Sequence, residues 1–417
     1  MKYALINCYS DNNRGDLAII LATIQLIREH DKNAEISGIS TYNITDPCYE
    51  SEHKLLAEHI RVFPSLFGVV NVGTSRALPL KLLRFGFDTL RISLCMVLPR
   101  GLISLLFSDA ENSSIRQLLE ADYVVSKGGS FICSERDLRS QIALIRVLYI
   151  FLLSIKLGKP PIVLCQSVGP YYGWLTRLLT NHVLKRCAAV ILREDVCTEQ
   201  YGYIELPEFN QVATDIAFFA DALSAQTDLP FAFDRLRVGM TMKHVNPDQS
   251  DQYRDMFVAA IEHCVNHHNA RVYIFPHVTI EDDIGNAFEI YKRLPDKIKP
   301  YVVLLSDHYH ALQLKAIYKS MDVFVGTRLH STIFALSEHV PAICVTYHGT
   351  KAFGVFKTLG LEEFVMTKYD AVLFCEKIDR LVSERKEISE RIAHILTQRK
   401  FELMRFFKAI MPAHNVA

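Results

Sequence analysis

The chain of 417 residues lacks an excess of either charge: Lys plus Arg number 46, Asp plus Glu number 46, and the formal net charge is +0. A nucleic-acid binder would carry a basic surplus, so that class is set aside. Any anionic ligand must then be held by a local cluster of cations. Paired cysteines are missing as well. The ten cysteines are irregularly spaced, with no C-x-x-C, and several lie in apolar runs such as Val163-Leu164-Cys165 and Ile343-Cys344-Val345. They read as small buried hydrophobes in a reducing compartment, and no zinc site is expected. The opening Met1-Lys2-Tyr3-Ala4-Leu5-Ile6 is too short for a secretory apolar region and meets polar Asn7 at once. It reads as the first strand of a cytoplasmic protein. From Leu78 to Phe107 the chain is apolar, but Lys81, Arg84, Asp88, Arg91 and Arg100 interrupt it, with Pro79 and Pro99 as breakers. No window of about 18 apolar residues survives there, so a spanning helix is not expected. Two readings of that stretch stay open: a packed helical insertion, and a basic amphipathic segment on a membrane surface. Internal repeats and low-complexity tracts are also absent.

What is present suits two α/β domains. Half the residues (50%) are hydrophobic and 22% are charged, enough to bury two cores in a chain too long for one. Short apolar runs alternate with helical patterns, the signature of parallel α/β units. Strands are expected at Tyr3–Cys8, Ile36–Ser40, Tyr123–Ser126, Ile162–Gln166, Ala189–Arg193 and Gln211–Thr214, with helices at Asp16–Glu29, Leu138–Leu157 and Thr176–Arg186. After a linker at 224–230 a second series follows. Its strands are expected at Arg237–Met242, Arg271–Phe275, Tyr301–Leu305, Val323–Val325 and Ala342–Thr346. Its helices fall at about Gln252–His267, Ala311–Lys319, Ser331–Glu338 and Ala352–Leu359. The expected domains are 1–220, with an insertion at about 60–110, and 236–385, followed by C-terminal helices over 386–417. Such sheets bind ligands beyond the carboxyl ends of their strands, so two of them facing each other would form a central cleft.

The candidate residues follow strands, as that rule requires. Asn12-Asn13-Arg14-Gly15-Asp16 joins the first strand to a helix; Gly15 serves a tight turn, and Asn12 and Asp16 can grip sugar hydroxyls. Ser126-Lys127-Gly128-Gly129-Ser130 offers a close backbone approach to a ligand at Gly128 and Gly129, or a plain Gly-Gly turn. It matches neither the Walker sequence nor G-x-G-x-x-G. Cys165-Gln166-Ser167-Val168-Gly169-Pro170 sets Gln166 and Ser167 at a strand end. Arg193 ends another strand, either facing the cleft or pairing at the surface with Glu194 or Asp195. The strongest pattern is Gly326-Thr327-Arg328-Leu329-His330-Ser331, between a strand and an apolar helix. Arg328 brings a fork for carboxylate or phosphate, His330 a proton near neutral pH, and the helix start its free N–H groups. Downstream, Tyr347-His348-Gly349-Thr350-Lys351 can deliver a second cation, Lys351.

Taken in order, these motifs resemble the polysaccharide pyruvyl transferase family. The matching residues are Asn12, Gly15 and Asp16; Gly128-Gly129; Gln166 to Pro170; Arg193-Glu194; Asp215 in Thr214-Asp215-Ile216-Ala217-Phe218; Arg328-Leu329-His330; Val340-Pro341; then Tyr347 and Lys351. Together they span about residues 3 to 365. Ser130 and Ile216 depart from the glycine and proline common there, and the 60–110 insertion does not align. The resemblance implies two Rossmann-like domains in a GT-B-like arrangement and phosphoenolpyruvate as co-substrate, with no separate cofactor and no metal. It implies that Arg193 and Arg328 bind the donor's anionic groups, with Lys351, Gly128, Gly129 and Ser331 beside them. His330 would be the general acid. Asn12, Asp16, Gln166 and Ser167 would face the acceptor, a sugar of a cell-surface glycan or of its lipid-linked precursor. The alternative is an inverting glycosyltransferase of the same architecture, which would need a slot for a nucleoside base.

Overall fold

The strands are nearly continuous apolar runs because both faces of each sheet are covered by helices. The computed structural model describes residues 1–68, 78–222, 234–243, 247–276, 283–305, 309–346 and 349–412. Its first sheet is eight-stranded: β1 (Lys2–Cys8), β2 (Glu35–Ser40), β3 (Arg61–Phe63), β4 (Tyr123–Ser126), β5 (Gly129–Ile132), β6 (Ile162–Val168), β7 (Ala189–Leu192) and β8 (Asn210–Val212). The order is β3-β2-β1-β4-β6-β7-β8, with β5 paired to β6. The second is six-stranded: β9 (Leu236–Thr241), β10 (Ala270–Phe275), β11 (Val302–Leu304), β12 (Val323–Gly326), β13 (Ala342–Val345) and β14 (Val365–Met366). Its order is β11-β10-β9-β12-β13-β14, all parallel. That is the doubly wound order, with the switch between β9 and β12; in the first sheet the switch lies between β1 and β4.

The chain forms two compact units. One contains Met1–Asp11, Ile19–Ile216 and the C-terminal segment from Glu402; the other contains Asn12–Ala18 and Ala217–Phe401. In the first unit β6 and β7 are buried along their full length. Leu144, Leu148, Phe151 and Leu153 from the helix Leu138–Lys156 share one core with Val124, Val163 and Val190. That helix is long and apolar enough to cross a membrane by length and composition. It serves here as a core helix, and its Arg146 pairs with buried Asp88 at 3.2 Å. The end of the C-terminal helix Arg385–Ile410 packs on this unit: the His30 ring meets Phe407 edge-on, and its Nε2 lies 2.6 Å from the Met411 carbonyl.

Most expected elements are present within a few residues. The differences have local causes. Gly128-Gly129 is more than a turn, since Gly129 starts β5. Gly128 is crowded, and a Cβ there would lie 2.6 Å from the Leu164 carbonyl oxygen. The 60–110 insertion contains the short β3, the helix Leu78–Val97 and the start of the helix Asp109–Glu120. A capping box between Ser108 and Glu111 starts the last of these. The helices Asp283–Arg293 and Ala371–Ser383 were not expected. The linker at 224–230 lies outside the described residues.

Candidate active site

In the first unit the polar residues gather at the carboxyl ends of β4, β6 and β7. Register brings them together: Gly129 is opposite Gln166, and Gln166 is opposite Leu192. The backbone bends here, because Cys165 takes a left-handed φ of 46° and the β6–β7 register shifts around it. Such strain in a non-glycine residue persists only where its surroundings impose it. Arg193 follows β7 and is 1% exposed. It is therefore not a surface partner of Asp195. Its Nε donates to Glu194 at 2.8 Å and its Nη1 to Asp215 at 2.8 Å. Burial works against the charge, but the two carboxylates outweigh it and hold the guanidinium above its ordinary pKa. Arg193 Nη2, Gln166 Oε1, Ser167 Oγ and Glu194 Oε1 are buried without hydrogen-bond partners. Orphaned buried polar atoms are costly, so these four call for an explanation that the described contacts do not supply. Lys127, at the switch beside Gly128, is also buried. Burial lowers its ammonium pKa to about 7, against the pull of Cys8 and Asp215.

In the second unit Arg328 is the N-cap of the helix Leu329–Ser337, directly after β12 and beside the switch. His330 and Ser331 therefore lie in its first turn, where N–H groups and the helix dipole favour an anion. Arg328 Nη2 donates to Asp283 at 2.8 Å, and Asp283 itself is buried at the start of the helix Asp283–Arg293. Ser331 braces the turn. Its hydroxyl bonds to the Arg328 carbonyl at 2.7 Å and lies 2.9 Å from Thr241 Oγ1 at the end of β9.

The segment Asn12–Ala18 belongs to this unit as well. Arg14 is buried and donates from Nη1 to the Pro276 carbonyl at 2.8 Å. Gly15 lies flat against the His330 imidazole: a Cβ at that position would overlap the ring and meet Cε1 at 2.8 Å. The glycine thus does more than allow a turn. It leaves the volume in which His330 sits.

The expected acceptor residues divide. Gln166 and Ser167 are in the first unit, whereas Asn12 and Asp16 go with the second. Lys351 stands in the first turn of the helix Gly349–Lys357 and is partly buried. Tyr347 and His348 lie outside the described residues. Sequence reasoning did not single out Asp283 or the burial of Lys127. An Asp soon after a strand and ahead of a helix would have pointed to the first.

Two doubly wound parallel sheets, each with anion-suited side chains at its carboxyl edge, define a GT-B-like, two-Rossmann-domain enzyme. Solved structures agree on the fold. A glycosyltransferase from Rickettsia africae superposes with TM-score 0.57 at 10% identity, covering 99% of this chain and 98% of that one. A putative UDP-N-acetylglucosamine 2-epimerase from Listeria monocytogenes gives TM-score 0.60 at 11% identity, covering 98% and 95%. Among curated proteins, the amylovoran biosynthesis protein AmsJ of Erwinia amylovora is 23% identical over 430 residues, 96% of each chain. The family model for polysaccharide pyruvyl transferase matches residues 13–349. The chain belongs to that family, and it is a transferase that moves pyruvyl from phosphoenolpyruvate to a polysaccharide.

Proposed function

We propose that His330 donates the proton that starts the transfer and that Arg328 holds the donor's anionic groups. The observation that carries this is the coincidence of Arg328 and His330 with a helix N-terminus at the switch of the second sheet. His330 gives a proton to the methylene carbon of phosphoenolpyruvate, which becomes a methyl group. The adjacent carbon becomes oxocarbenium-like, and one sugar hydroxyl adds to it and loses its proton. A second hydroxyl then displaces inorganic phosphate and closes the cyclic ketal. Arg193, Lys351, Gly128 and Gly129 are the further donor-side residues of this proposal, with Ser331 positioning Arg328. Asn12, Asp16, Gln166 and Ser167 serve the acceptor. Arg328, Arg193 and Lys351 suit a small, highly charged donor in a water-poor site. The test is release of inorganic phosphate from phosphoenolpyruvate. It should depend on a sugar acceptor and yield a ketal by mass spectrometry; hydrolysis of a nucleotide sugar instead would favour the glycosyltransferase reading.

The acceptor in this reading is a sugar of a cell-surface glycan or its lipid-linked precursor, met by a cytoplasmic enzyme at the inner face of a membrane. The support is the helix Leu78–Val97. Leu80, Leu83, Phe87, Leu90, Leu94 and Val97 repeat at intervals of three and four residues, and all are exposed. They form one apolar stripe. The sole acidic residue of the helix, Asp88, is buried. A stripe of this kind can rest at headgroup depth on an anionic surface. Co-sedimentation with anionic vesicles should be lost in Leu83→Glu. No association of the wild type at low salt removes the membrane contact and leaves the chemistry untouched.

A further inference from the structure

The helix Pro247–His268 ends on Glu262-His263-Cys264-Val265-Asn266-His267-His268, an H-x-x-x-H-H sequence. The His263 and His267 rings stack at 4.6 Å, and the His268 ring meets His263 at 5.4 Å. His263 and His268 both aim Nε2 at a single atom, Oδ1 of Asp379, each at 2.6 Å. Asp379 comes from the helix Ala371–Ser383 of the same unit. Two neutral imidazoles donating to one carboxylate would account for the two hydrogen bonds.

The same three atoms lie within 4.8 Å of one another. They are the donor types of a two-histidine, one-carboxylate metal face. Bonds of about 2.0–2.1 Å to a tetrahedral ion place ligand atoms about 3.3 Å apart. Asp379 is 50% exposed on its side chain and can withdraw from each Nε2 by the roughly 0.7 Å that separates 2.6 Å from this spacing. Moving each imidazole's proton from Nε2 to Nδ1 frees both nitrogens with no net loss of protons.

We propose that His263, His268 and Asp379 bind a divalent transition ion of the zinc type, with water in the remaining position. The ion would tie the end of one helix to the face of another. Imidazole ligands select zinc, nickel or copper over magnesium and calcium, which prefer all-oxygen shells. The site is separate from the proposed chemistry. His268 lies two residues before the start of β10, so it is at the amino edge of the second sheet, whereas Arg328 and His330 follow the carboxyl end of β12.

The experiment is calorimetric titration of the full, untagged chain with zinc, alongside thermal unfolding with and without the ion. One saturable equivalent and a raised midpoint are expected. Asp379→Asn and His268→Ala should each weaken binding by about tenfold or more, in line with the loss of a ligand shell member. Their metal-free midpoints should match the wild type, which shows that they fold. His267→Ala, outside the ligand set, should bind normally. Undiminished zinc binding in the Asp379→Asn/His268→Ala double variant would overturn the proposal, as would the same midpoint rise with magnesium.

Discussion

Arg193 and Arg328 occupy corresponding places, each just beyond a strand of a parallel sheet, yet their surroundings differ. Arg193 is sealed, with two of its nitrogens committed to Glu194 and Asp215 and Nη2 buried without a hydrogen-bond partner. Arg328 is a helix cap anchored to Asp283, and its side chain keeps 19% exposure. Sequence position alone makes the two look interchangeable. In the proposed reaction this difference becomes a division of labour: the buried Arg193 is held in place by two carboxylates, and the more exposed Arg328 is the one proposed to meet the donor. Lys127 strengthens the contrast, because burial makes its own charge marginal near neutral pH.

Substitution separates the two roles. Arg193→Met leaves Glu194 and Asp215 buried without their cation. It should cost about 3–5 kcal/mol of stability, read as a lowered urea midpoint, and an unchanged midpoint would break the contrast. Arg328→Ala should instead act on the donor, costing about 2–5 kcal/mol of phosphoenolpyruvate binding by calorimetry. Its stability loss should be smaller, since Asp283 keeps the favourable field of its own helix N-terminus. Wild-type donor affinity in this variant would refute the role given to Arg328. Gly15→Ala is the mildest change. It places a methyl where the imidazole lies, and a displacement of about 1 Å can cost up to roughly a hundredfold in rate. Turnover should fall with little change in donor KM, and the overlap with the ring should cost about 1–3 kcal/mol of stability, as overpacking does. Normal turnover would show that the ring has room to move.

The alternation of strands and helices was legible because buried parallel strands are apolar throughout, and the strand ends then located the candidate residues. Shorter elements were not. β3 carries no usable period, and β5 begins with the glycine of what reads as a turn. The helix Asp109–Glu120 announces itself only through Ser108 and Glu111. Side-chain environment was the least legible level. From sequence Arg193 could face the cleft or pair at the surface with Glu194 or Asp195; in the structure it is buried, and its second partner, Asp215, lies on a later segment. Gly15 looks like turn chemistry, and only the fold shows that its missing side chain makes space for a ring from the other end of the chain. His263 and His268 meet Asp379 for the same reason: tertiary contacts between distant segments leave no local pattern.

The role of His330 bears most directly on the account. Turnover at saturating phosphoenolpyruvate should be measured across pH for wild type, His330→Ala and His330→Gln. Both variants should keep the fold and most donor affinity but lose turnover by at least about a hundredfold, the low end for general-acid catalysis. Glutamine should do no better than alanine, since an amide can hydrogen-bond but cannot protonate carbon. The wild-type rate should fall as pH rises, because the protonated imidazole is the working form. Wild-type turnover with an unchanged pH profile in either variant would contradict the account and assign the proton to another group.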